Sequence, residues 1–271
     1  MGGSFMAEMT WEAFGKAVEA DPVAVIPMGS TELEGPHLPL GVDTIVADGV
    51  ARRLDGAAGI IIGPTLPIGY SKWFMPFPGT ITLETETLVR VLTEYTRSLI
   101  DHGIRRFVFL NSHRGNNACV ESVARTLVAD HSVRVAMLSV WKLANDLSAV
   151  ADRSIEEGRF THAGEIMTST IMALAPHTVV SDRMGSEKVK SPPNSTFKVK
   201  NSLGETEFKG SVQTVYQDIR DVTDFGTMGD PGAASAAKGE SIINRIVEYT
   251  KDFLQEFRKL ALTEPKKSER A

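Results

Sequence analysis

Residues 23–48 read VAVIPMGSTELEGPHLPLGVDTIVAD. An apolar run, Val23 to Met28, leads into Gly29 and Ser30. Four groups able to ligate a metal then fall within twelve positions: Glu32, Glu34, His37 and Asp43. A strand that empties into carboxylates and a histidine delivers ligands at its carboxyl end, which is where open α/β sheets bind them. In an extended segment Glu32 and Glu34, two apart, point the same way. Like charges side by side repel, and a bound cation is the usual reason to tolerate them. The alternative is an exposed acidic turn with a stray histidine. Pro36 and Pro39, which fix φ on either side of His37, argue against a floppy turn.

The rest of the chain narrows the setting. Its 271 residues suffice for one large α/β domain or two small ones. Hydrophobic content of 42% and charged content of 23% are ordinary globular values. A net charge of −5 gives no support for a nucleic-acid partner. No apolar run reaches the roughly 18 residues of a membrane span, and the N-terminus does not read as a secretory signal. The single cysteine, Cys119, excludes an intramolecular disulfide and suits a reducing cytoplasm. Its helical, apolar setting in NNACVESVARTL reads as core rather than nucleophile. MGGSF is set aside as an alternative start or an appended stretch.

Strand-like and helix-like patterns alternate through most of the length. A short helix over Trp11–Ala20 precedes the Val23–Met28 strand. Ile45, Val46, Val50 and Leu54 make a helical stripe over Thr44–Leu54, placing Asp43 near a helix N-terminus that it could cap. GIIIG (59–63) is a short buried strand. The Gly-, Pro- and aromatic-rich segment 65–82 is a long loop of the kind that is often functional. In it Trp73, Phe74 and Phe77 wall a substrate pocket or form a subunit contact. Leu88, Val91, Leu92, Tyr95 and Leu99 mark a helix closed by Gly103. The strand Arg106–Leu110 runs into NSHRGNN (111–117), followed by a helix over 118–129, and Val133–Val140 makes another strand. After Trp141 a polar helical region leads to Thr161-His162-Ala163-Gly164-Glu165, which opens the helix Ile166–Leu174. His162 and Glu165, three apart, face the same side of its first turn. TFKVK and TEFKGSVQ read as two strands of a hairpin insertion near 190–217, a solvated edge or oligomer contact in preference to an anion-binding arm. A long helix carrying Ile242, Ile246, Leu254 and Phe257 closes the chain.

This order predicts an α/β fold: a three-layer α/β/α sandwich around a mainly parallel sheet. Residues 1–22 form an N-terminal extension and helix, 23–260 a single domain, and 261–271 a disordered tail. Strand ends converge on one sheet edge, bringing together the first cluster, His113 and the helix start at Glu165.

With those three clusters assembled, the chain resembles the creatininase family of metal-dependent amidohydrolases. The resemblance rests on PMGSTELEGPHLPLGVDT, PFPGTITL, NSHRGNN, HAGEIMTST and MGDP, in the family's order over roughly residues 23–240. It implies a three-layer α/β/α hydrolase, often hexameric, with two divalent ions (Zn²⁺ and/or Mn²⁺) at the carboxyl edge of the sheet. It also implies a ligand set of Glu32, Asp43 and His113 on one ion, with Glu34, the bridging Asp43 and Glu165 on the other. Two departures stand out. Glu34 occupies the place of the family's first histidine, and Phe74 lies where many members have another. An oxygen-rich donor set favours Mn²⁺ relative to an imidazole-rich one, and the substitutions point away from creatinine itself.

The expected chemistry is attack by a hydroxide held between the ions on the carbonyl of a cyclic or linear amide in a small metabolite. His162 is the candidate general acid, or else a residue orienting a ligand carboxylate. His37, Arg114, Asn116, Trp73 and Phe74 are candidate substrate contacts. Two rivals remain open: the same chemistry opening a cyclic ketone or lactone of a carbocyclic sugar, and a non-catalytic oligomer that binds a metabolite.

Overall fold

The computed structural model describes residues 4–191, 195–200 and 204–262. Its centre is a four-stranded, all-parallel sheet built from β1 (Val23–Met28), β2 (Ile60–Ile62), β3 (Arg106–Asn111) and β4 (Arg134–Ser139), in the spatial order β2-β1-β3-β4. Alternating side chains of each inner strand serve opposite faces. Val23, Val25, Val108 and Leu110 pack into one apolar layer; Ala24, Ile26, Phe107 and Phe109 pack into the other. Burial on both faces explains why these strands read as unbroken apolar runs.

The first layer is covered by α2 (Val42–Arg53), α5 (Val140–Ala144), α6 (Glu165–Leu174) and α7 (Ala236–Arg258). The second is covered by α1 (Trp11–Val18), α3 (Thr85–Asp101) and α4 (Asn117–Asp130). This is the three-layer sandwich anticipated above. Leu88, Leu92 and Leu99 of α3 are buried, whereas Val91, included in the expected stripe, lies on the solvent side. Gly103 sits just past α3 with φ near 102°, a conformation that favours glycine.

The topology positions the site. The chain leaves β1, crosses to β2 through α2, and returns through α3 to the other side of β1. The crossover direction therefore reverses between β1 and β3. In open α/β sheets the crevice outside such a switch point is where ligands bind. Register sharpens this, because Met28 pairs with Asn111 and Asn111 with Ser139. All three long strands end in one row, and the polar segments after them meet.

Some expectations need correction. Asp43 does not cap α2: Gly41 is the cap residue, and Asp43 lies inside the first turn. TFKVK and TEFKGSVQ form three antiparallel strands, β5 (Lys198–Val199), β6 (Glu205–Phe208) and β7 (Ser211–Thr214), because TEFKGSVQ folds back on itself. Lys209 and Gly210 both have positive φ, as a two-residue type I′ turn requires. Ser4 and Phe5 belong to the fold: the Ser4 carbonyl accepts from the Ile62 amide at 2.7 Å, and Phe5 is buried in the first layer. Most of the tail expected to be disordered, 263–271, lies outside the described residues. Among the described residues no helix is long and apolar enough to cross a membrane.

Candidate active site

Three strand ends and one helix start build the site. The segment after β1 contributes Glu32 and Glu34, and α2 adds Asp43 in its first turn. The end of β3 supplies His113, α5, which follows β4 directly, supplies Trp141 as its second residue, and the turn before α6 carries His162. All are buried, Glu34 at 1% exposure. They line a cavity of about 960 Å³ that Phe74, Arg114, Arg159 and Met228 also border.

Two groups of potential metal ligands lie in it: Glu32, Asp43 and His113; and Glu32, Glu34 and His162. In each, one ligand atom per residue lies within 4.8 Å of the others. The residue common to both is Glu32, whereas the resemblance puts Asp43 between the ions. Asp43 is already well tied. Its Oδ1 accepts from Trp141 Nε1 at 2.6 Å, and its Oδ2 accepts from Ser30 Oγ at 2.9 Å and faces His113 Nδ1 at 3.0 Å.

Burying three carboxylates together has an electrostatic consequence. Burial pushes the Glu32 carboxyl up to about 7, against the pull of His113 and with the push of Asp43. Glu34 is driven well above the usual carboxylate range by burial, then by repulsion from Asp43 and Glu32. Burial disfavours charge on His113, but Glu32 and Asp43 outweigh it and raise the ring to about 9. His113 Nε2 is 2.8 Å from the Tyr70 carbonyl, so that nitrogen donates its proton. His162, packed 4.9 Å from the Phe74 ring, is lowered by burial to about 4 and stays neutral. Among the buried atoms that make no hydrogen bond are Glu32 Oε2, Glu34 Oε2 and His162 Nδ1; Glu34 Oε2 lies 3.4 Å from His162 Nδ1, and Glu32 Oε2 lies 3.3 Å from His113 Nε2. Each of those three atoms belongs to a residue of the second group, and a buried polar atom without a hydrogen bond is costly.

The other expected residues fall in different places. Glu165 is fully buried but is in neither group; its carboxylate meets Lys238 Nζ at 2.6 Å and the Glu157 amide at 2.9 Å. His37 is buried away from the cavity, with Nε2 2.9 Å from Thr168 Oγ1. Asn116 has no exposed surface; it donates to the Gly29 carbonyl at 3.0 Å and accepts from the Tyr70 amide at 3.0 Å, tying β1's end to the aromatic loop. Arg114 reaches the cavity wall and pairs with Glu205 at 3.1 Å. Trp73 donates to the Gln217 carbonyl and packs behind Phe74, which alone of the two lines the cavity. Gly115 has a steric reason: a Cβ there would lie 2.4 Å from His113 Nε2 and 2.3 Å from the Tyr70 carbonyl. Trp141 was missed as a site residue, although its place directly after a strand end was the available signal.

The Creatininase family profile, described as creatinine amidohydrolase, matches residues 7–254. The chain belongs to the creatininase family. It is accordingly a metal-dependent hydrolase of the amidohydrolase type. It is 29% identical to the creatinine amidohydrolase of Pseudomonas putida over 93% of this chain and 96% of that one. It is 30% identical to a mycofactocin precursor peptide peptidase of Mycobacterium tuberculosis, over 84% and 82%. A 3-dehydro-scyllo-inosose hydrolase of Thermotoga maritima aligns at 25% identity over 64% of this chain and 57% of its own length. Among solved structures, a manganese creatininase superposes with a TM-score of 0.76 at 26% identity, covering 95% of this chain and 99% of that one. A mutant creatininase of Zn-Zn type superposes equally well, covering 96% and 100%.

Proposed function

We propose that this family member is a binuclear hydrolase that cleaves a C–N amide bond, cyclic or linear, in a small metabolite. The observation that carries the reading is the pair of ligand groups joined through Glu32, whose second group holds three buried atoms without hydrogen-bond partners. Divalent cations fit such a donor set. They would satisfy the orphaned oxygens and nitrogen and offset the repulsion among Glu32, Glu34 and Asp43.

Glu32, Asp43 and His113 would hold one ion; Glu32, Glu34 and His162 would hold the other. When bound, such a pair supplies Lewis acidity and an activated water at neutral pH. The chain's own residues prepare for this. The Tyr70 carbonyl accepts a hydrogen bond from His113 Nε2–H, which leaves Nδ1 for ligation, and Trp141 orients Asp43, as partners behind ligands commonly do. His162 lies with Glu32 and Glu34 in the second group and is held neutral, the form a ligand needs, which supports a ligand role over the general acid expected from sequence. Phe74 covers His162 and keeps water from that side. Three carboxylates against two imidazoles make the set oxygen-rich, so Mn²⁺ is expected to bind at least as readily as Zn²⁺.

A second reading keeps the ions and changes the bond: the relative named a 3-dehydro-scyllo-inosose hydrolase makes ring opening of a cyclic ketone worth testing. The test is to incubate metal-loaded protein with lactams, N-formyl compounds and cyclic keto-sugars. Release of an amine, ammonia or formate supports amide hydrolysis. A ring-opened acid formed without amine moves the assignment to the second reading. No turnover of any amide by fully loaded protein counts against the first.

A further inference from the structure

His162 is held on both sides by one carboxylate that is not itself in either ligand group. Glu157 Oε2 accepts from Thr161 Oγ1 at 2.7 Å and from the Glu165 amide at 2.8 Å, the residues immediately before and three after His162. Its other oxygen, Oε1, accepts from the Asp230 amide at 2.7 Å. The Met228 amide donates to the His162 carbonyl at 2.9 Å, so the same MGDP loop grips the turn twice. Ala163 has φ near 53°, a left-handed conformation that a residue with a side chain seldom adopts unless its surroundings impose it. Fit around the carboxylate is close: a Cβ on Gly164 would lie 2.3 Å from Glu157 Oε2, and one on Gly229 2.5 Å from Oε1.

Glu157 is fixed in return by Glu165. The Glu157 amide donates to Glu165 Oε2 at 2.9 Å, reciprocating the bond from the Glu165 amide. Lys238 of α7 closes the arrangement, donating to Glu165 Oε1 at 2.6 Å and to the Ala233 carbonyl at 2.8 Å. None of Glu157, Glu165 and Lys238 lines the cavity. A carboxylate at the start of a helix accepting several donors is strongly held, because the bonds are charge-assisted and the helix N-terminus favours the charge.

We propose that Glu157, Glu165 and Lys238 are positioning residues that set the metal affinity of one half of the centre, the half made by Glu34 and His162. This rests on the two-ion reading above. Partners that orient a ligand typically change metal affinity about 10- to 100-fold when removed. Glu157→Gln should disrupt the arrangement without changing its bulk, since one donor would then face an amide nitrogen.

The test is calorimetric titration of metal-free full-length protein with Mn²⁺, for the wild type and for H162A, H113A, E157Q, K238M and K238R. H162A and H113A identify which equivalent belongs to which half. E157Q and K238M should weaken the equivalent that H162A removes by about 10-fold or more, and leave the equivalent that H113A removes within about twofold. K238R, which keeps the charge, should stay close to wild type. If E157Q or K238M does not fold, Thr161→Val, which deletes one donor to Glu157, must show the same one-sided loss in smaller degree. Equal weakening of both equivalents, or no change in either, would overturn the proposal while leaving the two-ion reading intact. A wild type that binds no Mn²⁺ would overturn both.

Discussion

Glu34→Gln separates a ligand from a bystander, because its effect should differ between the metal-free and loaded protein. In the metal-free wild type Glu34 is buried beside Glu32 and Asp43, and its carboxyl is driven well above the usual range by burial and then by those neighbours. Burial and those neighbours therefore favour its protonated form in the metal-free protein, and a neutral glutamine of similar shape should alter metal-free stability by no more than about 1 kcal/mol. Loaded protein should respond far more. Removing one member of a buried charge interaction costs about 3–5 kcal/mol, equivalent to roughly 150- to 4,000-fold in affinity for one ion. Thermal unfolding with EDTA and with saturating Mn²⁺ reads both effects. At about 2–4 °C per kcal/mol for a chain of this size, metal stabilisation should shrink by about 10 °C. The sign with pH is also fixed. A carboxyl whose folded pKa is raised binds its proton more tightly folded than unfolded, so metal-free wild type loses stability as pH rises from the unfolded value through the folded one. E34Q lacks that loss and should become the more stable metal-free form at alkaline pH. If E34Q binds two equivalents as tightly as wild type, Glu34 is not a ligand and the second group is misassigned.

Three further outcomes are expected. Metal binding must displace protons from Glu32, held near 7, from Glu34, raised well above the usual carboxylate range, and from His113, held near 9. Apparent affinity should therefore climb with pH across that interval, with proton release, measured calorimetrically in buffers of different ionisation enthalpy, falling away above about 9. Trp141→Phe deletes the 2.6 Å donor to Asp43 and should weaken the His113 equivalent about 10-fold, seen by competition with a chromophoric chelator; an unchanged constant would show that Trp141 only packs. Light scattering in solution should give six times the monomer mass if the hexamer implied by the family holds, and a monomer would remove that expectation.

Much of this fold was legible because its strands are buried on both faces. Val23–Met28 and Arg106–Asn111 leave no room for another reading, and polar residues placed straight after such runs mark the ligand edge of a parallel sheet. What was not legible depended on partners distant in the chain. The spacing of His162 and Glu165 suggested one shared helical turn, but α6 begins only at Glu165 and the left-handed Ala163 between them turns the two side chains apart. Lys238, 73 positions further on, holds Glu165 elsewhere. Asn116 looked available for substrate because it follows a strand end; only the packing of Gly29 and Tyr70 around it reveals a tie within the scaffold. The antiparallel insertion is present as expected, but with three strands in place of two, because a Lys-Gly turn inside TEFKGSVQ is a weaker signal than Asn-Gly or Asp-Gly.

The central claim is a two-ion centre, and elemental analysis of metal per chain tests it most directly, on protein purified without added metal or chelator and again after reconstitution with Mn²⁺ and Zn²⁺. About two equivalents per chain are expected, falling to about one in H162A. Saturation at a single equivalent after reconstitution would contradict the binuclear assignment, and a chain that takes up none would contradict the metal-dependent mechanism as a whole.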